Sequence, residues 1–109
     1  MINYNTQGTG QISSTAVQLL TANSPSIIDS IFVTNTTNQS MFLTIEFLRD
    51  ETPSTFLFTN ASLPAHTTIE LLKSSVLYLS PSNSLVGYSD HSAHYFDCHI
   101  SYREILEEE

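Results

Sequence analysis

The sequence predicts an all-β fold: a single β-sandwich or jelly-roll-like domain of about eight short antiparallel strands with a flexible N-terminal arm. Three observations predict it. Ser, Thr and Asn supply 36 of the 109 residues, and these side chains compete with helical hydrogen bonds while suiting strands and turns. Apolar residues recur at the strand period of two, and no segment sustains the helical period. Turn signals return roughly every ten residues, the rhythm of a sandwich.

The elements follow in order. MINYNTQGTG is polar with two glycines and reads as a flexible arm over residues 1–10. QISSTAVQLLTA gives a strand centred on Val17 and Leu19, broken by Asn23-Ser24-Pro25. IIDSIFVTN places Ile27, Ile31 and Val33 on one side of the next strand, and NTTNQS is a hairpin loop. In MFLTIEFLRD the set Met41, Leu43, Ile45 and Phe47 is uniformly apolar and faces the core. DETPS is a turn, TFLFTN a short strand, and LPAHTT an extended crossing, because Pro64 cannot donate to a central ladder. IELLKSSVLYL reads as two strand pieces rather than a helix. A further strand follows the Ser80-Pro81-Ser82-Asn83 turn, and a final one runs from about His94 to Ile105. The expected domain plan is an arm at 1–10, a sandwich at 11–105 and an acidic tail at 106–109.

Charge narrows the function. The net charge is −8, with three basic residues against eleven acidic ones. Arg49, Lys73 and Arg103 are too scattered to neutralise a phosphate backbone, so no direct nucleic-acid binding is expected. A single cysteine cannot form an intrachain disulfide. The N-terminus lacks the charged and apolar regions of a signal peptide, and no stretch is long and apolar enough to span a bilayer as a helix.

The densest group of chemically active residues is SDHSAHYFDCHISYREILEEE, with His91, His94, His99, Asp90, Asp97 and Cys98 close in sequence. Strand alternation divides them. His94, Phe96, Cys98, Ile100 and Tyr102 point one way, and the apolar members make that the core side. Tyr95, Asp97, His99, Ser101 and Arg103 point the other way. A tetrahedral metal site needs three or four ligands on one point, so no metal is expected, and Cys98 reads as a small buried hydrophobe. His66 reads as an exposed turn residue. GxSxG, phosphate-loop and HExxH motifs are absent, and Glu46 and Glu70 stand alone on strands, so no catalytic residue and no cofactor is expected.

DSIFVTNTTNQSMFLTIEFLRD, TFLFTNASLPAHTTIEL, VLYLSPSNSLVGYSD and CHISYREI, in that order, resemble small β-sandwich virion structural proteins of tailed bacteriophages. The resemblance covers about residues 26–105, and the histidine-rich approach to the last strand departs from it. It implies a non-enzymatic virion subunit made in the host bacterial cytoplasm. The first expectation is a capsid decoration, or cement, protein whose partner is the major capsid protein. Alternatives are a neck, tail or fibre-attachment component bound to neck or tail proteins, and, from another class, a carbohydrate- or receptor-binding module. Such subunits assemble as symmetric copies, so a homo-oligomer without membrane contact is expected. The expected partner contacts are Ile2 and Tyr4 in the arm, His91, Asp97 and His99 around the last strand, and Glu107, Glu108 and Glu109 in the tail.

Overall fold

The computed structural model describes residues 2–49, 52–73 and 75–105. Among the described residues nine strands run β1 (Ile2–Ile12), β2 (Val17–Thr21), β3 (Ser26–Asn35), β4 (Met41–Arg49), β5 (Thr52–Leu63), β6 (Thr68–Glu70), β7 (Leu77–Leu79), β8 (Ser84–Ser89) and β9 (Phe96–Ile105). They form two antiparallel sheets packed as a β-sandwich. One sheet has the order β1-β9-β3-β6, with β7 also paired to β3; the other has the order β2-β8-β4-β5. The chain passes between the sheets at β1–β2, β2–β3, β3–β4, β5–β6, β7–β8 and β8–β9, the wrapping of a jelly roll.

Alternation builds the core. Met41, Leu43, Ile45 and Phe47 are all buried, as their period-two spacing requires. On β9 the buried set is Phe96, Cys98 and Ile100, with Asp97 and His99 exposed between them. β3 departs from the expected face. Ile28 is buried and Ile27 only partly, because a bulge between Ile28 and Ser30 resets the alternation before Ile31 and Val33. The extra residue, Asp29, instead accepts a forked pair of bonds from Arg103 on β9, at 3.1 and 2.9 Å.

The N-terminal segment expected as a flexible arm is strand β1. It pairs with β9 from Ile2↔Ile105 to Ile12↔Phe96. Its apolar residues stand only at its ends, so its place comes from the backbone ladder, with Ile12 driven into the core at 0% exposure. Asn5 Nδ2 adds a bond to Glu104 Oε1 at 2.7 Å, and Ser24 Oγ reaches Oε2 of the same carboxylate at 3.2 Å. β5 is likewise longer than the expected strand at 55–60. Pro53, expected in a turn, lies inside it, which an edge strand tolerates. The acidic tail expected at 106–109, with Glu107, Glu108 and Glu109, lies outside the described residues, as does Met1.

Two polar side chains close the ends of the ladders. Asn35, fully buried, donates to the carbonyls of Gln39 and Leu63 at 2.8 and 3.0 Å and accepts from the Thr37 N–H at 2.8 Å. Glu70 works between β6 and β7, where β3 has no strand neighbour on the side away from β9. Its Oε2 accepts from the Ile31 N–H at 2.9 Å and the Leu72 N–H at 3.1 Å, and its Oε1 from the Lys73 N–H. Both satisfy backbone groups that would otherwise be stranded.

Candidate functional site

The strand order gives the sandwich two unlike lateral sides. One presents the edges of β1 and β2, which touch each other across the sheets. The other presents β5 of one sheet and β6 with β7 of the other; there Phe58 and Ala61 of β5 face Ile69 of β6 around an apolar cavity of about 200 Å³. An edge strand carries unpaired N–H and C=O groups, and monomeric proteins normally guard it with charge, proline or shortness. Here β6 and β7 are only three residues each and β5 holds Pro53, but charge is missing from most of the edges. β1 is 11 residues long and β5 is 12, and β1, β2, β5 and β7 contain no charged residue at all. The charges on strands sit mostly on inner ones: Asp29 on β3, Glu46 and Arg49 on β4, and Asp97, Arg103 and Glu104 on β9.

The outer face beside β1 carries a trough. Register sets Gly8, His99 and Phe32 in one row across β1, β9 and β3, and Asp97 beside Thr34 in the next. Gly10 stands over Asp97. The resulting groove encloses about 320 Å³, with Phe32 42% exposed at its inner margin. Neither glycine has a positive φ, so the backbone would accept a side chain at both. A Cβ at Gly8 would lie 3.6 Å from His99 Nδ1, and one at Gly10 3.4 Å from Asp97 Oδ1, both ordinary contact distances. What the glycines do is keep the space above Asp97 and His99 empty.

The expected contact residues fall into separate places. Asp97 and His99 line the trough, and Asp97 also holds a bulge in β1 by accepting the Gln11 N–H at 2.9 Å. Ile2 and Tyr4, 51% and 77% exposed, stand at the far end of β1. His91 is in the β8–β9 loop, where its ring lies 5.2 Å from that of His94. That loop is tied to β4. Asp90 donates its N–H to the Phe42 carbonyl at 2.9 Å, while its carboxylate accepts from His94 Nδ1 at 3.0 Å. The hydrogen bond from His94 holds the Asp90 carboxyl below its ordinary value, against the opposing effect of partial burial. Among the described residues no three His, Cys, Asp or Glu side chains converge as a metal site. The trough and the long, uncharged edges escaped the sequence-level expectations. The signal for the trough was present as two glycines at the strand period in GTG, inside a segment read as an arm.

No protein-family model and no curated protein sequence matches the chain. Among solved structures, its fold is similar to one from work describing Bacillus endospore appendages as a novel family of disulfide-linked pili. The TM-score is 0.63 at 12% identity, over 97% of this chain and 89% of that one. This finding corrects the expectation of a phage virion protein. The structure that the fold matches comes from pili, and nothing found supports capsid decoration, a neck, tail or fibre-attachment role, a carbohydrate- or receptor-binding module, a major capsid protein as partner, or location in a virion. The pattern behind that resemblance is strand, polar hairpin, crossing and closing strand. It is the spacing of a jelly-roll sandwich, which unrelated structural proteins share. The disulfide linkage named for those pili has no evident counterpart here, since the single cysteine, Cys98, is buried at 3% exposure.

Proposed function

We propose that this chain is a non-enzymatic structural subunit that polymerises with copies of itself, side against side, into a fibre or appendage. The observation that carries this reading is the pair of long, uncharged edges on two different lateral sides. Pairing β1 and β2 of one copy with the β5 and β6 side of the next uses two unlike surfaces. Such head-to-tail contacts propagate into a ring or an open helix rather than stopping at a dimer. The likeness in fold to a pilus protein supports the same reading, as does a surface on which the described charges form local pairs and caps rather than a reaction centre.

The test places charge on the edge. Thr6→Lys and Gln7→Lys, both at exposed positions of β1, should leave the circular dichroism spectrum unchanged and shift the protein in sedimentation velocity from assemblies to monomer. Assemblies of unchanged size in both variants would contradict the edge as the assembly surface.

A further inference from the structure

The trough over Asp97 is open, carries a carboxylate, and opens beside the edge at which a neighbour would add. From this we infer that it receives Lys73 of an adjacent copy, whose ammonium pairs with Asp97 and fixes the register of the assembly. The inference rests on the self-association reading and names the contact that gives it specificity.

Reach is the first support. A strand added outside β1 lies two strand spacings from β9, about 9.5 Å. A lysine extended across the sheet face and an aspartate pointing out of it close such a gap between them, provided that no side chain on β1 stands in the way. Gly8 and Gly10 supply that clear lane, and their backbone angles give no other reason for glycine.

Supply of charge is the second. The chain has three basic residues. Arg103 is held by Asp29 in a forked pair, and Arg49 ends the inner strand β4. Among the described side chains Lys73 is the exposed cation on the lateral side opposite β1, and the Glu70 carboxylate near it is occupied by three backbone N–H groups. It stands in the turn after β6 with φ 51°, and its N–H is bound by Glu70, so the backbone that carries it is fixed. Copies that each carry −8 repel one another. A cation placed against a carboxylate is therefore what discriminates one register from another. Phe32, exposed at the trough's inner margin, offers a ring face to the lysine stem or its ammonium.

The test is a charge exchange between copies, read by sedimentation velocity and negative-stain microscopy. Asp97→Asn preserves an acceptor for Gln11, Gly8→Val fills the lane, and Lys73→Gln removes the cation. Each should raise the concentration needed for assembly roughly tenfold while leaving thermal unfolding of the subunit close to wild type. Asp97→Lys alone and Lys73→Asp alone should each assemble poorly. An equimolar mixture of these two should assemble well. In it the lysine introduced into one variant meets the aspartate introduced into the other, and the native pair of Asp97 with Lys73 forms at the alternate contacts. Wild-type assembly that is indifferent to all these substitutions, or a mixture no better than its components, overturns the contact alone. A wild-type protein that stays monomeric overturns both the contact and the self-association it rests on.

Discussion

One oxygen of Asp97 accepts the backbone N–H of Gln11 at 2.9 Å, across the pair β1–β9. Gln11 has φ 55°, a left-handed backbone that costs a non-glycine residue about 1–2 kcal/mol. It sits in the bulge between Thr9 and Ile12, where β1 turns to bury Ile12. The carboxylate therefore holds the strained point that joins the polar edge strand to the core. Asp97→Ala should lower the unfolding free energy in urea by about 1 kcal/mol. Asp97→Asn should lose much less, and Gln11→Gly should recover part of the deficit of Asp97→Ala. Equal stabilities for wild type and Asp97→Ala would contradict this role.

Asn35 stands at the same end of that sheet, paired with Phe96 on β9. Four polar contacts converge on a side chain with 0% exposure, including Thr37 Oγ1 to Asn35 Oδ1 at 2.6 Å. Asn35→Leu strands two carbonyls and a backbone N–H, and should cost about 2–4 kcal/mol. Chemical denaturation gives the value; a loss below about 0.5 kcal/mol would mean that water replaces the amide without penalty.

Glu70 makes part of the stability depend on acid. Partial burial opposes its ionisation, but the N–H groups of Ile31, Lys73 and Leu72 and the charge of Lys73 outweigh that, and the carboxyl lies below its ordinary value. The folded state thus prefers the ionised form. Its contribution is fully present above the unfolded carboxylate value, near pH 4.3, and is lost as pH falls through the lowered folded value. Glu70→Gln should melt below wild type at pH 7, and the two should converge in acid. Parallel melting curves at every pH would contradict the assignment.

How much of this was legible follows from which forces write themselves into sequence. Met41, Leu43, Ile45 and Phe47 were legible because burial of one sheet face imposes a period of two. The division of Asp97 and His99 from Cys98 followed from the same rule. The bulge at Asp29 was not legible, since nothing local distinguishes an inserted residue from one in step; it turned Ile27 outward and Ile28 inward. β1 was invisible for a different reason. Its ladder to β9 is made by backbone groups, which every sequence has, and GTG leaves no hydrophobic trace. The trough inherits that invisibility: it needs β1 to be a strand before Gly8 and Gly10 can be seen to face His99 and Asp97.

Cys98 separates this chain from disulfide-linked assembly. Burial pushes its thiol up to about 12, so little of the reactive thiolate forms at neutral pH. Thiol reagents should modify it only on unfolding. Cys98→Ala should cost about 1 kcal/mol in stability. Assembly should survive both that substitution and excess reductant. Collapse of assemblies on reduction would show that Cys98 links copies after all.

The central claim is that long, uncharged edges on two unlike sides make the chain polymerise with itself. The most direct measurement is sedimentation velocity of the purified wild-type protein over a wide concentration range, with electron microscopy of the same samples. The account predicts species that grow with concentration into rings or filaments, and grow further as salt screens the −8 charge of each copy. A single monomeric species at every concentration and ionic strength would contradict it.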